Sequence, residues 1–194
     1  MLQSRVNCWS WLDVQRVFFG IPVDKGTQEQ INELLSPIKN SLQALRWVPE
    51  QNRHLTLAFL GNRPAVVVEK LTRSMDKAYQ HETCFMSGPA DLSRFPNSSG
   101  NIIALVFRAD AGLSNLYQVT QEYLVENGFD FNRTQFRPHI TLGRIRRRSR
   151  MTTDIKQQTN ISIQVGKVTF YQSTLTRSGS IYIVLNETKL DKPG

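Results

Sequence analysis

Two stretches carry the side chains best suited to chemistry. One is Arg53-His54-Leu55-Thr56-Leu57-Ala58-Phe59-Leu60-Gly61, the other Phe136-Arg137-Pro138-His139-Ile140-Thr141-Leu142-Gly143-Arg144. Both contain His, an aliphatic residue, Thr and another aliphatic residue. On a β-strand successive side chains alternate faces. His54 and Thr56 therefore share a face, as do His139 and Thr141, and the aliphatics back them. The chain has 3 histidines, and two of them sit in these copies. A proton-transfer group beside a hydroxyl, presented twice, suits in-line phosphoryl transfer. One imidazole takes the proton of the attacking oxygen, and the other, protonated, donates to the leaving oxygen on the far side of phosphorus. Imidazole titrates near working pH, so it suits both tasks. Each threonine hydroxyl can bond a non-bridging phosphate oxygen, and a nearby arginine can neutralise the charge. The two histidines are then expected to face each other across one cleft.

Other chemistries have less behind them. The scheme requires no metal and no cofactor. A metal site needs three or four convergent ligands, and His81-x-x-Cys84 is the one further pair, without a second pair to complete it. Neither cysteine has a nucleophile motif around it, and there is no Gly-x-Ser-x-Gly elbow.

The elements that must position the histidines follow from the patterning. Arg16 to Pro22 reads as a short β-branched and aromatic strand. Alternation turns one of Phe18 and Phe19 towards the groove, without saying which. Asp24 to Arg46 reads as helical, with Thr27 as N-cap, Gln30 three residues on, and Pro37 as a kink or break. The first His strand follows, with Phe59 on the aliphatic, core face, and Gly61 to Pro64 reads as a turn. Pro64 to about Gln80 is a second helix, with Val67, Leu71, Met75 and Tyr79 along one side. Cys84 to Phe95 mixes strand and loop, 97–101 is a tight turn, and Ile102 to Phe107 is a buried strand. A third helix starts at Asp110 and ends at Gly128. The second His strand comes next, then a basic stretch from Arg144 to Arg150, and strands near Ser162–Leu175 and Ile181–Leu185. Each His strand follows a helix. This order predicts an α+β, bilobal fold: two pseudo-symmetric lobes, each an antiparallel sheet with outer helices, with the His-x-Thr-x strands lining a central groove. Residues 15–194 form a single domain on this reading, and residues 1–14 an N-terminal extension.

Composition bounds the setting. The chain has 194 residues and 40% hydrophobic residues, enough for a core, with a formal charge of +8. Such a charge favours a polyanionic partner, and nucleic acid is the expected one. Two cysteines form no disulfide framework and suit a reducing compartment. No apolar run approaches the ~20 residues of a membrane helix, and no secretory signal is evident. A cytoplasmic monomer without a membrane partner is expected.

The paired motifs resemble those of the two-histidine (2H) phosphoesterases. Their surroundings are similar to the RNA 2′,3′-cyclic phosphodiesterase branch, also called the 2′-5′ RNA ligase family. The matching features are Arg16-Val17-Phe18-Phe19, Arg46-Trp47-Val48, both motifs with their flanks, and Arg144. The likeness runs from about residue 16 to about residue 186. It implies a V-shaped groove and opening of a 2′,3′-cyclic phosphate, on RNA or a nucleotide, to a 2′-phosphate by water. It implies His54 as general acid, His139 as general base, Thr56 and Thr141 on the phosphate oxygens, and Arg144 as the phosphate-binding arginine. Strict alternation turns Arg144 away from His139, so the strand must bend or bulge, which Gly143 permits. Gly20 stands where a small residue such as Ala is expected. The competing readings are a 2′-5′ ligase or phosphodiesterase on the same fold, a non-catalytic RNA-binding module, and a metal-dependent hydrolase.

Overall fold

The computed structural model describes residues 14–40, 42, 44–130, 135–146, 155–177 and 179–192. Residues 1–13 of the expected extension, and Arg147, Arg148 and Arg150 of the basic stretch, lie outside the described residues; Val14 opens the first strand.

The elements run β1 (Val14–Pro22), α1 (Lys25–Lys39), β2 (Leu45–Trp47), a 3-10 turn (Glu50–Asn52), β3 (His54–Pro64), α2 (Ala65–Tyr79), β4 (Phe85–Ser87), β5 (Asp91–Phe95), β6 (Ile102–Val106), α3 (Ala111–Glu126), β7 (His139–Ile145), β8 (Lys156–Gln158), β9 (Ile163–Val165), β10 (Lys167–Thr176) and β11 (Gly179–Lys189). Eight strands follow the order β11-β10-β1-β3-β7-β6-β5-β8, with β2 also paired to β7; β4 and β9 form a separate pair. The architecture is α+β with antiparallel strand pairing. Its two four-stranded arrays, β11-β10-β1-β3 and β7-β6-β5-β8, meet at the residue pair Leu55↔Ile140. The two His strands are thus the inner strands of the two halves. They touch at their motif ends and then diverge, and β2 enters the wedge beside Gly143–Ile145.

The apolar faces of the His strands build the core. Leu55, Ile140 and Leu142 are fully buried, together with Val17, Phe19 and Ile21 of β1 and Phe170 of β10. Helix α2 closes over β1 and β3 with Val68, Leu71, Met75 and Tyr79, and α3 adds Leu113, Leu116 and Leu124. Covering one sheet face with helices leaves the histidine face open.

Four local expectations are corrected. The N-cap of α1 is Asp24, whose carboxylate accepts the Thr27 N–H at 3.0 Å. Thr27 lies three residues on, buried, with its hydroxyl against Asp24 and the Ser162 carbonyl. Helix α1 ends at Lys39, and Leu45 and Arg46, expected within it, belong to strand β2 (Leu45–Trp47). The helical spacing of Leu42 and Leu45 is overridden by ladder pairing with a strand a hundred residues away. Gly61–Pro64 is no turn. It continues β3, with Gly61 at a φ of 71° beside a register shift against β1, a backbone that glycine adopts without a Cβ clash. Phe59 is not in the core, for the reason given next.

Candidate active site

The motif strands are not regular. In β3 the pairing with β1 runs Gly20↔Thr56, Phe19↔Ala58, Phe18↔Phe59 and Val17↔Gly61, so Leu57 and Leu60 have no partner in the ladder. In β7 the pairing with β6 runs Ala104↔Thr141 and Ile103↔Gly143, skipping Leu142. Both copies therefore carry a bulge at the same place, just after the threonine. Each has two consecutive buried residues there, Leu57-Ala58 and Leu142-Gly143. A bulge inverts the facing of everything beyond it. Residue five after each histidine consequently returns to the histidine face. In β7 that residue is Arg144, which joins the site as the bend at Gly143 allows. In β3 it is Phe59, 56% exposed and lining the groove instead of packing in the core.

A groove of about 950 Å³ runs between the halves, and His54, Thr56, His139, Thr141 and Arg144 all line it. The two imidazoles are held alike. The carbonyl two residues upstream sits against Nδ1 in each: Asn52 O at 2.8 Å from His54 and Arg137 O at 2.9 Å from His139. A carbonyl only accepts, so Nδ1 carries the proton and Nε2 is left open to the groove. Aromatic rings fix the ring planes. His54 lies 4.7 Å from Phe18 and meets Tyr182 edge-on at 5.3 Å. His139 stacks on Phe95 at 3.9 Å, and the Arg137 guanidinium caps that ring at 4.7 Å while donating to Pro96 O.

This packing governs the protons. Burial pushes the His54 imidazole down to about 4; the Asn52 carbonyl opposes the shift, and the charges of His139 and Arg144 add to it. Burial also lowers His139, opposed by the Arg137 carbonyl and reinforced by the charges of Arg137 and Arg144. The effect of His139 on His54, and the action of Arg144 on both, place the three groups in one electrostatic neighbourhood. At neutral pH both imidazoles of the groove are neutral. In the unfolded chain His54 binds a proton below about 6.5, whereas in the folded protein it does so only near 4. The unfolded state therefore binds more protons between these values, and stability falls as pH drops through that window. Urea midpoints of wild type and His54→Gln should differ in slope with pH between 6.5 and 4.5, wild type losing more; parallel slopes would contradict the desolvation of this ring.

The remaining expectations are placed as follows. Phe18 faces the groove and Phe19 stacks on Phe170 in the core at 4.3 Å. The signal was present, since Val17, Phe19 and Ile21 already form an apolar period-two face. Arg53 is 4% exposed and donates to Gln28 and Asn32 of α1, so it ties the helix to the start of β3. Arg137 supports Phe95, as described. His81 lies against Gln80 at the end of α2, and neither it nor Cys84 lines the groove. Gly20 gives His54 room: a Cβ there would stand 3.3 Å from His54 Cδ2 and 3.0 Å from Leu55 O. Sequence reading missed Phe95, Tyr182 and Arg16 as neighbours of the site. Arg16 and Tyr182 line the groove, and Arg16 stacks over Phe59 at 4.8 Å. Among the described residues no helix is long and apolar enough to cross a membrane.

Residues 21–100 match the family model of LigT-like phosphoesterases. The chain is 28% identical over 181 residues to the RNA 2′,3′-cyclic phosphodiesterase of Thermotoga maritima, covering 91% of this chain and 96% of that protein. It is 25% identical over 180 residues to the protein of the same name from Methanocaldococcus jannaschii, covering 89% and 99%. Among solved structures, E. coli LigT in its apo form superposes with a TM-score of 0.72 at 28% identity, covering 93% of this chain and 99% of that one. LigT has also been crystallised with 3′-AMP. TT0787 of Thermus thermophilus shares the fold at a TM-score of 0.80 and 19% identity, covering 92% and 100%.

Proposed function

We propose that the chain is a LigT-like phosphoesterase that hydrolyses RNA 2′,3′-cyclic phosphate ends to 2′-phosphomonoesters by paired-imidazole catalysis without a metal. The observation that carries this reading is the pair of imidazoles facing one groove, each with Nδ1 tied to a carbonyl and Nε2 free, beside two threonines and Arg144. The cyclic diester lies between the two Nε2 atoms. Nε2 of His139 accepts a proton from water as its oxygen attacks phosphorus. The P–O3′ bond breaks, and Nε2–H of His54 gives its proton to O3′. The products are a 2′-phosphomonoester and a 3′-hydroxyl, and solvent exchange resets both rings. Thr56 and Thr141 bond the non-bridging oxygens, and Arg144 offsets the charge that develops on them.

The acid must first acquire its proton. A cyclic phosphate brings one negative charge next to two imidazoles whose protonated forms are disfavoured by burial and by Arg144. That charge raises both, and on His54, the acid of this scheme, it offsets the burial that otherwise disfavours the proton. Substrate binding is thus coupled to proton uptake. Every group in this scheme comes from one chain, which fits a monomer, and a reducing cytoplasmic setting fits the two-cysteine composition.

The test is turnover of a nucleoside 2′,3′-cyclic phosphate in excess EDTA, with the product identified. Full activity with a 2′-phosphate product is expected. Loss of activity on chelation would favour a metal-dependent hydrolase, and a new 2′-5′ linkage as the main product would favour a ligase.

A further inference from the structure

The groove holds more positive charge than its reacting phosphate can use. Arg46 on β2 stands directly opposite Arg144 on β7 in the ladder, so the two guanidinium groups leave the same face side by side. Both line the groove, Arg16 does too, and among the described residues no aspartate or glutamate lines it with them. Among the described residues neither Arg46 nor Arg144 has a carboxylate partner. Like charges placed opposite one another on a sheet repel. Such a pair is satisfied when anions occupy the space before it. Arg46 is also seated: its Nη2 lies 2.6 Å from where a Cβ on Gly179 would be, so the guanidinium rests on the bare backbone at the start of β11. A single cyclic diester carries one negative charge, and Thr56, Thr141 and Arg144 already serve it. The volume, about 950 Å³, lies at the upper end of the ~300–1,000 Å³ of small-ligand pockets.

We propose that Arg46 holds a second phosphate, the internucleotide diester preceding the cyclic-phosphate end, so that the preferred substrate is an RNA end of two or more nucleotides rather than a mononucleotide. This rests on the cyclic phosphodiesterase reading. The experiment compares kcat/KM for adenosine 2′,3′-cyclic phosphate and for a diadenosine ending in the same group, with wild type, Arg46→Gln and Arg46→Lys, across a salt series.

Wild type should prefer the dinucleotide by about tenfold, an interaction of roughly 1.4 kcal/mol. Arg46→Gln should lose about tenfold more on the dinucleotide than on the mononucleotide, and Arg46→Lys should restore part of it. The salt slope on the dinucleotide should become shallower by about 0.7 in Arg46→Gln. Equal losses on both substrates would overturn the proposal by placing Arg46 on the reacting phosphate, and no loss on either would overturn it outright. Failure of wild type to turn over either substrate would instead strike the functional reading. Calorimetric binding of a diadenosine carrying a terminal 2′-phosphate then decides on Arg46: weaker binding by Arg46→Gln supports the second phosphate site, and equal binding overturns it.

Discussion

Alanine in place of His139 is expected to lower turnover of a nucleoside 2′,3′-cyclic phosphate by about 10²–10⁴-fold, the usual contribution of one general acid–base group. His54→Ala should fall in the same range. Neither ring is part of the apolar core, so circular dichroism and, at neutral pH, the denaturation midpoint should remain close to wild type. The two losses should not multiply in the double variant, because acid and base act in one step. The roles can be separated with a substrate whose leaving oxygen needs no proton, such as a p-nitrophenyl phosphodiester. His54→Ala should recover most of its rate there, and His139→Ala should not. The opposite pattern would exchange the acid and the base. Activity within tenfold of wild type in either alanine variant on the natural diester would sink the paired-imidazole mechanism.

Arg144→Gln is expected to lower kcat/KM by about 10²–10³-fold, the effect of removing one preorganised donor from a developing anion. It should also move the pH profile, and the sign follows from the electrostatics. The Arg144 charge lowers both His54 and His139. Without it both imidazoles hold protons more readily. The acid limb, where the base must be neutral, moves to higher pH, and so does the basic limb, where the acid must be protonated. The optimum of kcat/KM therefore shifts upwards as a whole. A rate loss with both limbs unmoved would mean that Arg144 contacts phosphate without facing the imidazoles. Arg144→Lys keeps the charge and loses the fork; its optimum should lie near wild type although its rate is reduced.

The bulge that brings Arg144 to the groove also shows where sequence reading stops. Period-two alternation correctly assigned His54, Thr56, His139 and Thr141 to one face and Leu55 and Ile140 to the other, because that alternation is a property of extended backbone. It failed two residues after each threonine, at Ala58 and Gly143, putting Phe59 in the core and turning Arg144 away. A bulge is a count of two residues against one on a neighbouring strand. In β3 the neighbour is β1, some forty residues back, and in β7 it is β6, so neither copy contains the information alone. Read together, the two errors are one: Phe59 and Arg144 hold the same position in the two halves. Strand β2 was lost in the same way, since Leu45 and Trp47 gain strand pairing only from β7.

The amino-acid sequence by itself determined the reactive groups and their local presentation. Two imidazoles, each two residues from a hydroxyl and backed by aliphatics, follow from residue type and strand geometry. So do the faces by which α2 and α3 seal the core. Only the tertiary structure decided which rings hold the histidines and how easily they take up protons. Phe95 reaches His139 across two strand pairings, and Tyr182 reaches His54 from a strand that begins 125 residues later in the chain. Those contacts remove water from the imidazoles, and desolvation depends on what surrounds a group in space, whatever its neighbours in sequence.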